Sequence, residues 1–346
     1  MKNQSVRLSS GSRVFFLAWL SVFFIVGPNL PLFSQNVGAT APERLSPLDL
    51  PGGGLSRLDF FYAGEARQEN MYIVKNGEIV WNYTHPAAGE ISDAVLLSTF
   101  NVLFAHQDGI TEVTPDKKVV WNYNAPEGCE IHTAQPIGKE HVIFLQNGKP
   151  AKLLVVNKIT GKIVKDLVLP VGNPNGVHGH FRHARLTNKG TYLVAHMDMG
   201  KVCEYDADGK ALQTIDAPGV WSAQPLSNGN ILITCQKVVR EINPAQQTVW
   251  ECSLPAIQGY AITSPQTSVR LSNGNTIVTN WFNQWSGDGK VNLDNPPVQA
   301  VELTPEKKVV WAIRAWTDPV NLGPSTIIVP LNEPRTDENR FFGEIR

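Results

Sequence analysis

The run Gly176-Val177-His178-Gly179-His180-Phe181-Arg182-His183 gathers three imidazoles and a guanidinium into one short segment. Side chains of this kind can bind an anion, act as a general base near neutral pH, or ligate a metal. Metal ligation needs converging deprotonated donors, and the run contains no carboxylate to complete a set. Anion binding or acid–base work is therefore the expectation here. A metal held by His178, His180 and His183 is the lesser alternative, and no cofactor is expected. Against all of these stands a structural role, in which the rings hydrogen-bond loop carbonyls.

A second unusual segment, residues 280–298, carries Trp281, Phe282, Trp285, Asp288, Asp294 and Asn295. Together with Trp221 and Tyr260 it offers rings that can stack on the apolar faces of sugars, beside groups that take hydroxyls. The familiar catalytic signatures are missing: the chain has no P-loop, no G-x-G-x-x-G after a strand, no H-E-x-x-H and no G-x-S-x-G.

The elements that must position these residues are written as a repeat. Residues 115–121 read PDKKVVW and 305–311 read PEKKVVW; residues 226–234 read LSNGNILIT and 271–279 read LSNGNTIVT. Each unit runs apolar strand, Asn-Gly turn, strand, Glu-hydrophobic strand, Gly/Lys turn, and a strand ending in Val-Trp. The first strand closes at Leu97, Ile137, Leu186, Leu226, Leu271 and Leu331. The third recurs at Glu112, Glu204, Glu241 and Glu302, and the fourth at Trp81, Trp121, Trp250 and Trp311, with Lys165 and Gln213 near the Trp position in two units. Recurrence at tens of residues with four strands per unit predicts an all-β fold, a β-propeller. Six blades are expected, or seven if residues 139–182 hide a degenerate unit. Residues 57–84 supply second, third and fourth strands without a first, and residues 325–331 supply a lone first strand. Strands from both termini thus close the ring and remove its open edge.

Propeller geometry converts this alignment into a spatial expectation. The starts of first strands and the ends of second strands share one face, around one end of the central channel. Those slots hold Asp93, His132, Arg182, His183 and Trp221, then His106, Gln146, His196 and Asn280. The candidate binding set is Asp93, His106, His178, His180, His196, Trp221, Tyr260, Trp281 and Trp285. Beside it, His132 or His183 would serve as base or nucleophile, with Arg182 stabilising developing negative charge.

The 346-residue chain has a formal net charge of −1 and no basic stripe, which argues against a nucleic-acid partner. Lys2, Arg7 and Arg13 precede the apolar run 14–26, and Ala39-Thr40-Ala41 offers a cleavage site. Residues 1–41 therefore read as a signal peptide. Residues 42–56 read as a flexible linker, 57–331 as the propeller and 332–346 as a C-terminal tail. A periplasmic or secreted location follows, with no stable membrane insertion after cleavage. Cys129, Cys203, Cys235 and Cys252 admit three full disulfide pairings, but their strand positions favour buried free thiols.

The phrases HTAQPI, RHARLTNKGTYLVAH, VCEYDADGK, SAQPLSNGNILIT and SPQTSVRLSNGNTIVTN make residues 57–331 resemble an exported bacterial β-propeller of the PQQ-like and arylsulfotransferase-like repeat class. PQQ dehydrogenases of that class carry an adjacent Cys-Cys pair over the quinone; this chain has none. Arylsulfotransferases use a channel histidine that accepts sulfate, with further His and Arg holding the sulfuryl group. The resemblance implies such roles for His132, His183 and Arg182. The expected function is binding of a polar ligand, carbohydrate or anionic, at one end of the channel. The alternatives are a sulfuryl- or sugar-directed transferase, hydrolase or lyase at the same place, and a protein-interaction scaffold using the aromatic insert.

Overall fold

The computed structural model describes residues 50–64, 70–86, 90–282, 291–294, 296–317, 320–333 and Glu338. The expected signal peptide, most of the expected tail, and Trp285 lie outside the described residues. Among the described residues, no helix is long and apolar enough to cross a membrane.

Among the described residues, twenty-four strands form six antiparallel sheets of four, the blades of a propeller. Blade 1 orders as Ile327–Pro330, Phe60–Gly64, Asn70–Lys75 and Glu78–Thr84, so the last strand of the chain completes the first blade. It pairs antiparallel to Phe60–Gly64, with Phe60 opposite Pro330 and Ala63 opposite Ile327. Blades 2 to 6 begin with the inner strands Ile91–Leu96, Glu130–Ile137, Phe181–Leu186, Val220–Pro225 and Pro265–Arg270. Residues 139–182 hide no seventh blade: they hold the rest of blade 3, then a connection whose only regular turn is a 3-10 helix at Val177–Gly179. Of the expected linker 42–56, the described part includes a 3-10 helix, Pro51–Ser56, and Trp311 donates its indole N–H to Gly54 O at 2.7 Å.

The inner strands are largely buried on both faces, polar side chains included, because each blade is covered by a neighbour on either side. Only the outermost strands alternate with solvent, as in Val119–Asn124. Phe61, Met71 and Tyr83 of blade 1, for example, pack with Ile91, Ala94 and Phe104 of blade 2. The repeated phrases describe the joints between blades. Two of the outer-strand tryptophans reach the third-to-fourth-strand turn of the next blade: Trp81 donates to Pro115 O at 2.9 Å and Trp250 to Pro305 O at 2.7 Å. Where blade 3 lacks the tryptophan, Lys165 Nζ makes the equivalent bond to Ala207 O at 3.0 Å. The repeated third-strand glutamates Glu112, Glu241 and Glu302 each accept from a turn of their own blade and pair with a cation from outside it. Glu241 accepts from Asn230 at 2.6 Å and from Arg270 of blade 6 at 2.8 Å. Replacing Trp81 by Phe is expected to lower unfolding free energy by about 1 kcal/mol, the net worth of one hydrogen bond, as a lower urea midpoint at unchanged slope.

One local expectation is corrected. An Asn-Gly pair between strands suggests a two-residue hairpin with both residues at positive φ, yet only the glycines, Gly229 at 84° and Gly274 at 87°, take that conformation. The loop closes as Leu226 N–H to Asn230 O, one residue too long for a two-residue turn, so the left-handed position falls once, on the glycine. All four cysteines are free thiols, three of them buried.

Candidate functional site

Five of the six inner strands begin with a β-bulge. The register slips between Ile91 and Asp93, Ile131 and Ala134, Phe181 and His183, Val220 and Ser222, and Pro265 and Ser268. A bulge leaves a residue unpaired and re-aims its side chain, and bulges gather beside functional sites for that reason. The skipped residues include Ser92, His132, Arg182, Trp221 and Gln266. The first four touch in sequence. Ser92 Oγ is 3.3 Å from His132 Nδ1, Arg182 NH1 is 2.7 Å from the same nitrogen, and the Arg182 guanidinium lies 5.1 Å from the Trp221 ring centroid.

Two carboxylates and a third imidazole complete the cluster. Glu130 Oε2 accepts from His132 Nε2 at 3.0 Å and from His178 Nδ1 at 2.8 Å, so one oxygen holds two rings. Glu90 lies across their other nitrogens, 3.4 Å from His132 Nδ1 and 3.3 Å from His178 Nε2. Arg182 NH1 donates to Glu90 at 3.1 Å, and NH2 stands 2.7 Å from His178 Nε2. His132 and Arg182 are buried, the two glutamates partly so, and the His178 side chain is half exposed. A groove of about 480 Å³ along Asn173, Gly176, Met197 and Asp198 gives solvent access beside His178.

The electrostatics follow from these contacts. Burial alone would raise the glutamate pKa values, but hydrogen bonds from His132 and His178 override it and hold both acids well below the usual carboxylate range; the charge of Arg182 adds to this at Glu90. Glu130, then Glu90, pull His178 up to about 9. The 2.7 Å approach of Arg182 NH2 demands instead a lone pair on Nε2. A neutral ring protonated on Nδ1 satisfies Glu130 and Arg182 together. A doubly protonated ring satisfies both glutamates and must repel Arg182. The cluster therefore has two internally consistent charge states, exchanged by one proton and a small shift of the guanidinium.

The remaining sequence candidates stand elsewhere. Asp93 is buried and paired with Arg185 through NH1–Oδ2 and NH2–Oδ1 contacts of 2.8 and 2.9 Å. His183 is buried between blades, donates Nδ1–H to Ala223 O at 3.0 Å, and is pushed down to about 3 by burial and by Arg185. His106 packs on His85 with centroids 4.2 Å apart and meets Thr111 Oγ1 at 3.0 Å. His180 donates to Asn173 O at 2.9 Å, and His196 accepts from Tyr205 OH at 2.8 Å. Trp281 is buried, and Tyr260 packs against the apolar cluster around Leu254 and Val298. The aromatic insert around Trp285 lies outside the described residues. The structure thus brings together His132, His178, Arg182 and Trp221, and adds Glu90, Glu130 and Ser92, which sequence reasoning did not single out. One signal was available: Glu130 and His132 are i and i+2 at a strand start, where alternate side chains share a face.

At the other end of the axis lies a cavity of about 660 Å³, with Asp93, Gln135, Arg185, Gln224, Thr267 and Arg270 among its walls. It shares no residue with the histidine cluster.

No family model matches the chain, and no curated protein matches it. Among solved structures, it is similar to a protein of unknown function from Bacteroides caccae: 25% identity over 80% of this chain and 100% of that one, at a TM-score of 0.68. A streptogramin B lyase structure is similar at 10% identity, covering 75% and 85% of the two chains, with a TM-score of 0.51. The virginiamycin B lyase of Staphylococcus aureus matches at 14% identity over 72% of each chain, with a TM-score of 0.46. The first two of these likenesses concern the fold alone and leave the chemistry of the cluster to its own residues.

Proposed function

We propose that this chain is an exported propeller that binds a small polar ligand at the bulge-built end of its axis and performs proton transfer on it. The observation that carries the reading is the double hold of Glu130. By accepting from His132 Nε2 and His178 Nδ1, it turns the opposite nitrogen of each ring toward the same place, beside Glu90 and Arg182. A base oriented by a carboxylate through its far nitrogen is the arrangement general-base catalysis requires. His178, half exposed beside the groove, is the ring that reaches a ligand. His132, buried beneath it, fixes the network, and Arg182, stacked on Trp221, meets negative charge that develops on the ligand.

Two ionised carboxylates face one guanidinium, which disfavours a dianionic group and favours a neutral or singly charged one, such as a sugar or its ester. The apolar segment 14–26 behind Lys2, Arg7 and Arg13 supports export. The repeat phrases support kinship with PQQ-like and arylsulfotransferase-like propellers.

The test is turnover by the full chain of neutral oligosaccharides, uronic-acid oligosaccharides and aryl sulfates. Replacing His178 by Ala should cut kcat about 10²–10⁴-fold, the usual range for a general acid–base group, and shift the melting temperature little because the ring is half exposed. A ligand whose processing ignores His178→Ala but responds to Gln224→Ala would place the site in the opposite cavity and remove this reading.

A further inference from the structure

We infer that Glu90, His132 and His178 form a site for one divalent transition-metal ion. Their donor atoms lie within 4.8 Å of one another. The two measured carboxylate-to-imidazole separations, 3.4 and 3.3 Å, suit neighbouring ligands on one ion, since bonds of about 2.1 Å at roughly tetrahedral or octahedral angles set donors about 3.0–3.4 Å apart. Each element reaches the place independently: Glu90 precedes the inner strand of blade 2, His132 is bulged out of blade 3, and His178 comes from the 3-10 turn before blade 4.

The second observation is Glu130. A metal-bound imidazole almost always donates its other N–H to a carboxylate, carbonyl or water, which fixes its tautomer and aims its lone pair. Glu130 receives that bond from both rings at once, leaving Nδ1 of His132 and Nε2 of His178 as the two free donors. A purely structural glutamate needs no such pair of rings.

The third is Arg182. Its NH1 and NH2 stand 2.7 Å from those same two nitrogens, and NH1 stands 3.1 Å from Glu90. The guanidinium marks where the three donors accept a cation, and a metal ion competes with it for that place. The guanidinium also touches Trp221 and Met197, its Cζ 5.1 Å from the ring centroid and its Nε 3.4 Å from the sulfur, so an entering ion must displace it from these contacts as well. Two imidazoles with one carboxylate select ions of the manganese-to-zinc series over magnesium or calcium, which take oxygen donors. The inference concerns the same cluster as the proposed function, but its test uses metal alone, so either can fail without the other.

The experiment titrates Zn²⁺, and Mg²⁺ in parallel, into the untagged, chelator-treated full chain by calorimetry, with Co²⁺ absorption reporting the donor set. One equivalent of Zn²⁺ should bind, far more tightly than Mg²⁺. Glu130→Gln, which keeps the shape of the side chain, should weaken Zn²⁺ about 10–100-fold, and His132→Ala or His178→Ala should weaken it further. Arg182→Gln should bind Zn²⁺ at least as tightly as the parent, because it removes the competing cation; a merely structural network would give no such gain. Absence of stoichiometric binding overturns the inference. So does full affinity in the His132→Ala/His178→Ala double variant, which would locate the ion elsewhere, or a loss in Arg182→Gln as large as in the histidine variants. Circular dichroism of each variant separates lost ligation from lost fold.

Discussion

Acidification from neutral pH to about pH 4 is expected to unfold this propeller, and three buried histidines are the reason. His106, His183 and His196 are at most 8% exposed, and burial is the first cause pushing their pKa values down to about 4, about 3 and about 4. Each ring titrates near 6.5 in the unfolded chain. Below that value the unfolded state binds protons that the folded state refuses, so stability falls as pH falls, until the folded pKa is reached. At about 1.4 kcal/mol per unit, each ring costs on the order of 3 kcal/mol by pH 4, and the three together on the order of 10 kcal/mol. That equals the whole stability of an ordinary domain. His178 works in the opposite direction. Its raised pKa contributes stability that is fully present below about 6.5, but solvent screens a half-exposed side chain and the offset is small. The depressed carboxylates Glu90, Asp93 and Glu130 begin to cost stability only below the normal carboxylate range. Tryptophan fluorescence and circular dichroism across pH 7 to 3 should show one cooperative loss centred between about pH 5 and pH 4, where the summed cost runs from about 6 to about 10 kcal/mol. His196→Gln, which can still accept from Tyr205, should move the midpoint down by about one pH unit. A native spectrum at pH 4, or a midpoint indifferent to this substitution, would show that burial does not set these pKa values.

The same histidines explain why the fold was more legible in the sequence than the site. Blade number, strand order and closure by residues 327–330 follow from a repeat in which each phrase has a mechanical task. The Val-Trp strand exists to reach the next blade, and the third-strand glutamate to hold a turn and a neighbour's cation. Such tasks recur and therefore show as pattern. The site does not recur. Assigning polar residues to one face correctly placed His132, Arg182 and Trp221 at strand starts, but could not separate side chains bulged toward the axis from those tucked between blades. Arg182 and His183 are adjacent in sequence, yet the bulge between Phe181 and His183 sends one into the cluster and the other toward Ala223. Glu90 was hidden more deeply, because it precedes its strand and nothing in its neighbourhood repeats. The expectation of sugar-stacking aromatics rested on side-chain type, a shared face and the failure of Trp281 and Trp285 to recur in register. Of these two, Trp281 is buried, at 9% exposure, as large apolar residues tend to be.

The largest single-residue effect on stability is expected at Arg185. Its guanidinium and the Asp93 carboxylate join blades 2 and 4 across the axis, with Asp93 fully buried and Arg185 nearly so. Thr133 of the intervening blade 3 serves both partners, donating to Asp93 at 2.8 Å and standing 3.1 Å from Arg185 NH1. This triad belongs to a ring of bonds that passes every blade junction: Ala184 N–H to Thr133, His183 to Ala223 O, Thr234 to Ser268, Thr267 to Thr326 O, and Thr326 to Ile91 O. Burial would raise the Asp93 pKa, but the charge and hydrogen bonds of Arg185 override it and keep the acid ionised, so removing the arginine strands a charge in the interior. Arg185→Met should therefore cost about 3–5 kcal/mol, as breaking one side of a buried pair does. The double variant Asp93→Leu/Arg185→Met should recover most of that loss, because a buried pair replaced by apolar groups is often neutral. Urea unfolding of the two single variants, the double variant and the parent closes the cycle and yields the coupling energy directly. A cost below about 1 kcal/mol for Arg185→Met would mean that water reaches Asp93 from the adjoining cavity. A double variant as unstable as the single one would mean that the pair sets the geometry of the bond ring rather than merely neutralising itself. In that case, the bulged residues upstream on the two strands, Arg182 before Arg185 and Ser92 before Asp93, should lose their alignment, and activity at the His132–His178 cluster should fall with stability.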